Sequence, residues 1–193
     1  MAFHRKRTAI LKKLGHPFYQ RDAEKLARGL IGAILVRRSR GKEYRARIVE
    51  TEAYIGPHDR ASHSSKGRTR RNEVLFGPAG RAHVYLIYGM YEMFNIVAGK
   101  TGGGQAVLIR AAEPLDDWKV DLSGPGKLTL AFKITRSMNG MDLTKGTLYI
   151  ARNPGYRPRI KRAKRIGVDY AGEWKNKLLR FIDDKSKAVV NHR

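Results

Sequence analysis

The segment VETEAYIGPHDRASH, Val49–His63, gathers side chains able to do acid–base chemistry: Glu50, Glu52, Tyr54, His58, Asp59 and His63. It reads as a strand that runs into a Gly-Pro turn and a polar loop. On a strand with a period of two, Ile48, Glu50, Glu52 and Tyr54 share one face. With Ile48 aimed at the core, the later members fall at its edge or in the mouth of a cleft. A carboxylate beside a tyrosine in such a place can act as a base toward water. The structural alternative is an ion pair with Arg45, Arg47 or a loop arginine, the usual fate of Glu in a basic protein. His58 and Asp59, with His63 beyond them, also match the start of a metal-dependent phosphohydrolase site. Such sites need further His and Asp ligands, however, and His4, His16, His83 and His192 have no ligand-like spacing. Histidines in a polar loop more often serve as hydrogen-bonding groups, and no metal is expected.

A second segment, HVYLIYGMYEMFNI, carries Tyr85, Tyr88, Tyr91 and Phe94 close together. On a strand, Tyr85 and Tyr88 face opposite sides because their offset is odd. Ordinary sheet packing accounts for such aromatics. The functional reading is that one ring lines a pocket while the other projects outward. A projecting ring beside a basic surface can wedge into a base stack, and a pocket ring can stack on an unpaired base. Asn95 adds a polar edge.

These groups need a scaffold. DAEKLARGLIG places Ala23, Leu26, Ala27 and Leu30 on one helical face, with Asp22 as N-cap and Gly32 as stop. AILVRR and EYRARIVETEAYI read as two strands joined in a hairpin through Ser39-Arg40-Gly41-Lys42. HVYLIY and AVLIRAAEP read as further strands separated by a Gly-rich connection, and GTLYIAR as another. GPGKLTLAFKIT, with Pro125 where a first helical turn tolerates it, predicts a second helix. Strands adjacent in sequence with helices at the flanks imply an α+β class with a mainly antiparallel sheet.

Composition bounds the rest. A chain of 193 residues without internal repeat or Ser/Pro linker is expected to form one domain, burying roughly 70% of its unfolded surface. Lys and Arg number 40 against 17 Asp and Glu, a formal charge of +23. Such an excess self-repels unless a polyanion is nearby, and nucleic acid is the usual one. The runs SSKGRTRRN and RNPGYRPRIKRAKRIG carry no acid and fit phosphate contacts along a duplex, although such runs usually lie on solvated faces. No amphipathic helix of membrane-surface type is present, and GLIGAILV is too short to span a bilayer. The absence of cysteine excludes disulfides, thiolate metal sites and cysteine nucleophiles. Residues 1–15 are basic without a signal-peptide pattern and are expected to form a cationic arm ahead of a domain at 16–193.

Together, ARGLIGAILVRR, RIVETEAYIGPHDRASHSS, RTRRNEVLFGPAGRAHVYLIYGMYEMFNIV, AVLIRAAEPL, SGPGKL and RIGVDYAGEW followed by LLRFI resemble the methylpurine (alkyladenine, or 3-methyladenine) DNA glycosylases. The resemblance runs in order from about Leu26 to Phe181. It implies a single-domain, curved-sheet glycosylase fold and a cofactor-free, monofunctional enzyme that removes damaged purines from double-stranded DNA. A monomer located in the bacterial cytoplasm, at the nucleoid, is expected. Carried over by position, Glu52 matches the general base that activates water. Tyr54, His63 and Tyr85 match the rings around the flipped base, and Tyr88 the tyrosine inserted into the duplex. Asn95 matches a residue that discriminates against purine amino groups, Ala61 a backbone contact to the base edge, and Arg110 a residue that holds water and phosphate. Arg68, Arg70, Arg71, Lys127, Arg157, Arg159 and Lys161 are the expected backbone contacts. Glu50 is assigned to structure. Arg70 stands where the family commonly has Pro, and Glu92 is an unexpected acid near a DNA-facing tyrosine.

Overall fold

The computed structural model describes residues 11–189. After a short α1 (His16–Tyr19), helix α2 (Ala23–Leu30) begins where expected, the Asp22 carboxylate accepting the Lys25 amide at 2.8 Å. Its apolar face, Ala23, Leu26, Ala27 and Leu30, is wholly buried. Gly32, at φ +86°, turns the chain into β1 (Ile34–Ser39). The hairpin to β2 (Lys42–Tyr54) closes on Arg40 and Gly41, both at positive φ, with Ser39 paired to Lys42. Two left-handed central residues suit the right-handed twist of the strands they join.

Strands β3 (Ala82–Ile87), β4 (Tyr91–Ala98), β5 (Gln105–Pro114), β6 (Leu148–Ala151), β7 (Ile160–Ala163) and β8 (Arg180–Asp183) complete one curled sheet, and helix α3 (Pro125–Phe132) packs on it. Every pairing is antiparallel, in the order β3-β4-β5-β2-β1-β6 with β7 and β8 attached to β2. The α+β class holds. The Gly-rich connection between the third and fourth expected strands is shorter than the sequence suggested, because YEMFNIVA forms β4.

Strand β2 is the axis of the fold. One edge pairs with β5; the other pairs first with β1 and then, over Glu50–Glu52, with β8. At the change of partner the β5 register shifts between Ile48 and Thr51, a bulge. The bulge overturns the expected sharing of a face by Ile48 and the glutamates. Ala46 and Ile48 join the core; past the bulge that side passes to Thr51, whose hydroxyl donates to the α2 carbonyl of Ala27, and to Ala53. Glu50, Glu52 and Tyr54 are turned to the opposite face.

The same alternation continues across the neighbouring strands. Val84, Phe94, Ile96, Val107 and Ile109 pack with Leu128 and Phe132 of α3 and the apolar face of α2. His83, Tyr85, Asn95, Leu108 and Arg110 face the other way and line a cavity. Gly126 lets α3 close on Tyr91, since a Cβ there would stand 2.8 Å from a Tyr91 ring carbon. The expected basic arm lies mostly outside the described residues. Its last part does not stand apart: Leu14 is buried and its amide donates to the Ile150 carbonyl.

Candidate active site

Glu52 is the most deeply placed of the expected site residues, with no exposed surface. Its Oε2 accepts the Tyr54 hydroxyl at 2.8 Å, its Oε1 accepts the Ile166 amide at 2.8 Å, and Arg110 Nη1 stands 3.4 Å from Oε1. Tyr54, Ile166 and Arg110 all line a cavity of about 270 Å³, so the carboxylate sits directly behind that part of its wall. Burial, and the negative charge of Glu52 beside it, hold the Tyr54 phenol well above its ordinary pKa; it stays a donor. Glu50 is engaged differently. It pairs with Arg180 at 2.9 Å and with Arg110 Nε at 3.4 Å, so Arg110 lies between the two glutamates.

Tyr85 meets His63 at 4.2 Å between ring centroids, and the pair forms one side of the cavity. Burial and the Glu52 charge push the Tyr85 phenol up to about 12. Asn95, on β4, is directly across the ladder from His83. Ala61 is buried with its amide donating to Asp59 at 3.0 Å and its carbonyl accepting the Tyr170 hydroxyl at 3.5 Å, which leaves that carbonyl one further lone pair for a ligand. Tyr88 falls outside the strand, so the expected odd-offset alternation with Tyr85 does not apply. It occupies the β3–β4 turn at φ +52° and is 83% exposed at the cavity rim. A non-glycine residue held at positive φ costs of order 1 kcal/mol, strain that a functional turn can retain.

Sequence reasoning missed Arg165. It lies in a run read as a solvated phosphate-facing surface, yet its side chain is completely buried. It makes a two-pronged pair with Asp59 at 2.5 and 2.8 Å, donates to the Ala53 carbonyl and covers the Tyr54 ring at 4.9 Å. Asp59 also accepts the Ile55 and Ala61 amides, fixing the polar loop against β2. His58 packs edge-on against Trp174. Among the described residues no group of three or more His, Asp or Glu forms a metal cluster. The missed signal was the Ile-Gly-Val flank of Arg165, apolar after a run of cations.

Residues 17–187 match the sequence family described as Methylpurine-DNA glycosylase (MPG). A Legionella pneumophila (strain Corby) protein named "Putative 3-methyladenine DNA glycosylase" is 50% identical over 172 residues, covering 89% of this chain and 94% of its own. Relatives with the same name in Anaeromyxobacter sp. (strain Fw109-5) and Methanocella arvoryzae are 48% and 46% identical, over 88% and 91% of this chain and 88% and 94% of theirs. The chain belongs to the methylpurine-DNA glycosylase family.

The expected backbone contacts of this glycosylase fall in different places. Arg71 stands over the Tyr85 ring outside the cavity lining, its guanidinium donating to the Leu86 carbonyl at 2.8 Å, while Arg68 pairs with Glu73. Arg70 joins Arg71 in lining a shallow pocket with Arg136. Lys127, in the first turn of α3, pairs with Asp121. Arg159 and Lys161 share Asp184, each at 2.6 Å, and Arg157 lines a separate cavity beside Gly29 and Ile31. Glu92 is held by Arg136 at 3.0 Å, which offsets its charge near Tyr88. No described helix is long and apolar enough to cross a membrane.

The cavity histidines give this glycosylase an acid-sensitive fold. Burial, with the charges of Arg71 and Lys66, lowers the His63 pKa; burial, with His63 and Arg71, lowers that of His83 to about 4. The unfolded chain takes up these protons near pH 6.5, the folded chain only at lower pH, near 4 for His83, so acid favours unfolding. Stability is complete above about pH 6.5 and falls toward pH 4, with His83 alone accounting for on the order of 3 kcal/mol. Thermal melts from pH 7.5 to 4.5 should show the decline, reduced in His83→Phe; a decline of equal size in both proteins would contradict this.

Proposed function

We propose that this glycosylase turns an alkylated purine out of duplex DNA into the cavity and hydrolyses its N-glycosidic bond, with Glu52 as the base toward water. The observation that carries the reading is the Glu52 carboxylate, buried at the cavity wall among donors from Tyr54, Ile166 and Arg110. A carboxylate offers about four acceptor sites, and two good hydrogen bonds leave room for a water. Water adds its oxygen to C1′, Glu52 takes the proton, and the purine leaves with the bond electrons. An N-alkylated purine already carries positive charge, so no second carboxylic acid is required, in contrast to ordinary glycosidases. Glu50, neutralised between Arg180 and Arg110, is left to structure.

Rings 4.2 Å apart already touch, so no base enters between His63 and Tyr85; the base lies between that pair and Tyr54. Tyr88, Met90 and Tyr91, all exposed at the hairpin tip, supply the apolar wedge that fills the gap left in the stack. Arg110, enclosed by two glutamates, acts by holding the Glu52 carboxylate in its orientation. The Ala61 carbonyl and the Asn95 amide read the base edge.

Incubation with methylated duplex DNA and chromatography of the supernatant tests the reading. Free 3-methyladenine and 7-methylguanine should appear, with strands that break only after alkali. Binding of the DNA without any released base would leave a nucleic-acid-binding protein without chemistry.

A further inference from the structure

His83 takes no part in the attack of water on C1′, yet it is among the most unusual of the described side chains. It is 1% exposed, it lines the cavity, and neither ring nitrogen has a hydrogen-bond partner. Asn139 lies close enough to act on the ring, but its Oδ1 accepts the Val84 amide, and it makes no aligned bond to either nitrogen. Across the ladder, the Nδ2 of Asn95 is likewise buried in the lining of the same cavity; the Tyr85 hydroxyl lies close to that side chain but makes no aligned bond to it. A buried polar group left without a partner costs about 1–3 kcal/mol, and native proteins rarely leave one so without a use. Here unpaired nitrogens from two adjacent strands meet at one cavity. Flanking rings set the His83 plane: Tyr85 at 5.3 Å and His63 at 6.2 Å between centroids.

From this juxtaposition we infer that His83 is a base-contacting residue whose ring N–H, beside the Asn95 amide, hydrogen-bonds an acceptor on the edge of the flipped purine. The inference rests on the cavity being the base pocket, and it concerns which purines that pocket serves. A cationic purine leaves with its own charge neutralised as the bond breaks. A neutral purine, such as hypoxanthine, leaves as an anion, and negative charge builds up on its ring nitrogens and keto oxygen. A fixed N–H aimed at such an atom strengthens as that charge develops. The low His83 pKa keeps the imidazole neutral at physiological pH, so it presents one donor and one acceptor without repelling a cationic base. The pocket thus has a donor suited to neutral keto purines in addition to the rings that hold alkylated ones.

The test compares release of hypoxanthine and of 7-methylguanine from otherwise identical duplexes by the wild-type protein, His83→Phe and His83→Gln. Phe keeps a planar ring and removes both nitrogens; Gln keeps a donor. Hypoxanthine kcat should fall about 10- to 100-fold in His83→Phe and recover partly in His83→Gln. Release of 7-methylguanine, which leaves as a neutral base, should fall much less than that of hypoxanthine, and thermal melts report that the variants are folded. Equal losses on both bases, or none on hypoxanthine, would overturn the inference while leaving the glycosylase reading in place. A wild-type protein that frees 7-methylguanine but never hypoxanthine would overturn it too. Release of neither base by the wild type would remove the proposed function itself.

Discussion

Replacement of Glu52 by Gln should leave binding of damaged duplex intact while base release falls by about 10²–10⁴-fold. The change is nearly isosteric. The Gln side-chain oxygen can still accept from Tyr54 or from the Ile166 amide, so the wall of the cavity keeps its shape. What disappears is the group that takes a proton from water. Arg110 keeps a partner in Glu50, so no isolated cation is left behind. Single-turnover release and a gel-shift titration on the same duplex separate the two effects. Undiminished release by Glu52→Gln would take this carboxylate out of the mechanism, and a parallel loss of binding would recast it as structural.

The second large effect is on stability. Arg165→Met should destabilise the fold by about 3–5 kcal/mol, because Asp59 then stays buried with only two amides to satisfy its charge. For a chain of this size that corresponds to a fall in melting temperature of roughly 10 °C or more. The same change uncovers the Tyr54 ring and frees the polar loop carrying Ala61 and His63, so base release should also fall. Removing both charges, as Asp59→Leu/Arg165→Met, should recover part of the stability, since an apolar pair avoids the uncompensated carboxylate. Recovery stays incomplete because the Ile55 and Ala61 amides lose their acceptor. Denaturant unfolding of the three variants measures this, and a loss below about 1 kcal/mol in Arg165→Met would mean that the pair does not anchor the loop.

Local pattern was readable wherever a single segment carried its own instruction. Asp22 and the spacing of Ala23, Leu26, Ala27 and Leu30 define α2, and Arg40-Gly41 forms the tight turn between β1 and β2. Pro125 starts α3 at its first helical position. Strand β4 was obscured because the hairpin tip before it, Tyr88-Gly89-Met90, is apolar and does not read as a turn; only the left-handed φ of Tyr88 and Gly89 makes it one. Strands β7 and β8 are each four residues long and depend on β2 for pairing, so their own sequence carries little period.

Residue types and order alone determined the family-like series from TEAY to EPL, the excess of cations and the presence of Glu52 beside Tyr54. The tertiary structure decided which way those side chains face. One extra residue on each of β2 and β5 at the Ile48–Thr51 irregularity reverses the parity of both strands and carries both glutamates from the core side to the cavity side. Whether Arg165 meets solvent or Asp59, and whether the His83 nitrogens find partners, depends on chain segments far away in sequence, 106 residues in the first case. Periodicity sets the shape of a strand, but the partners that strand acquires determine what its side chains can do.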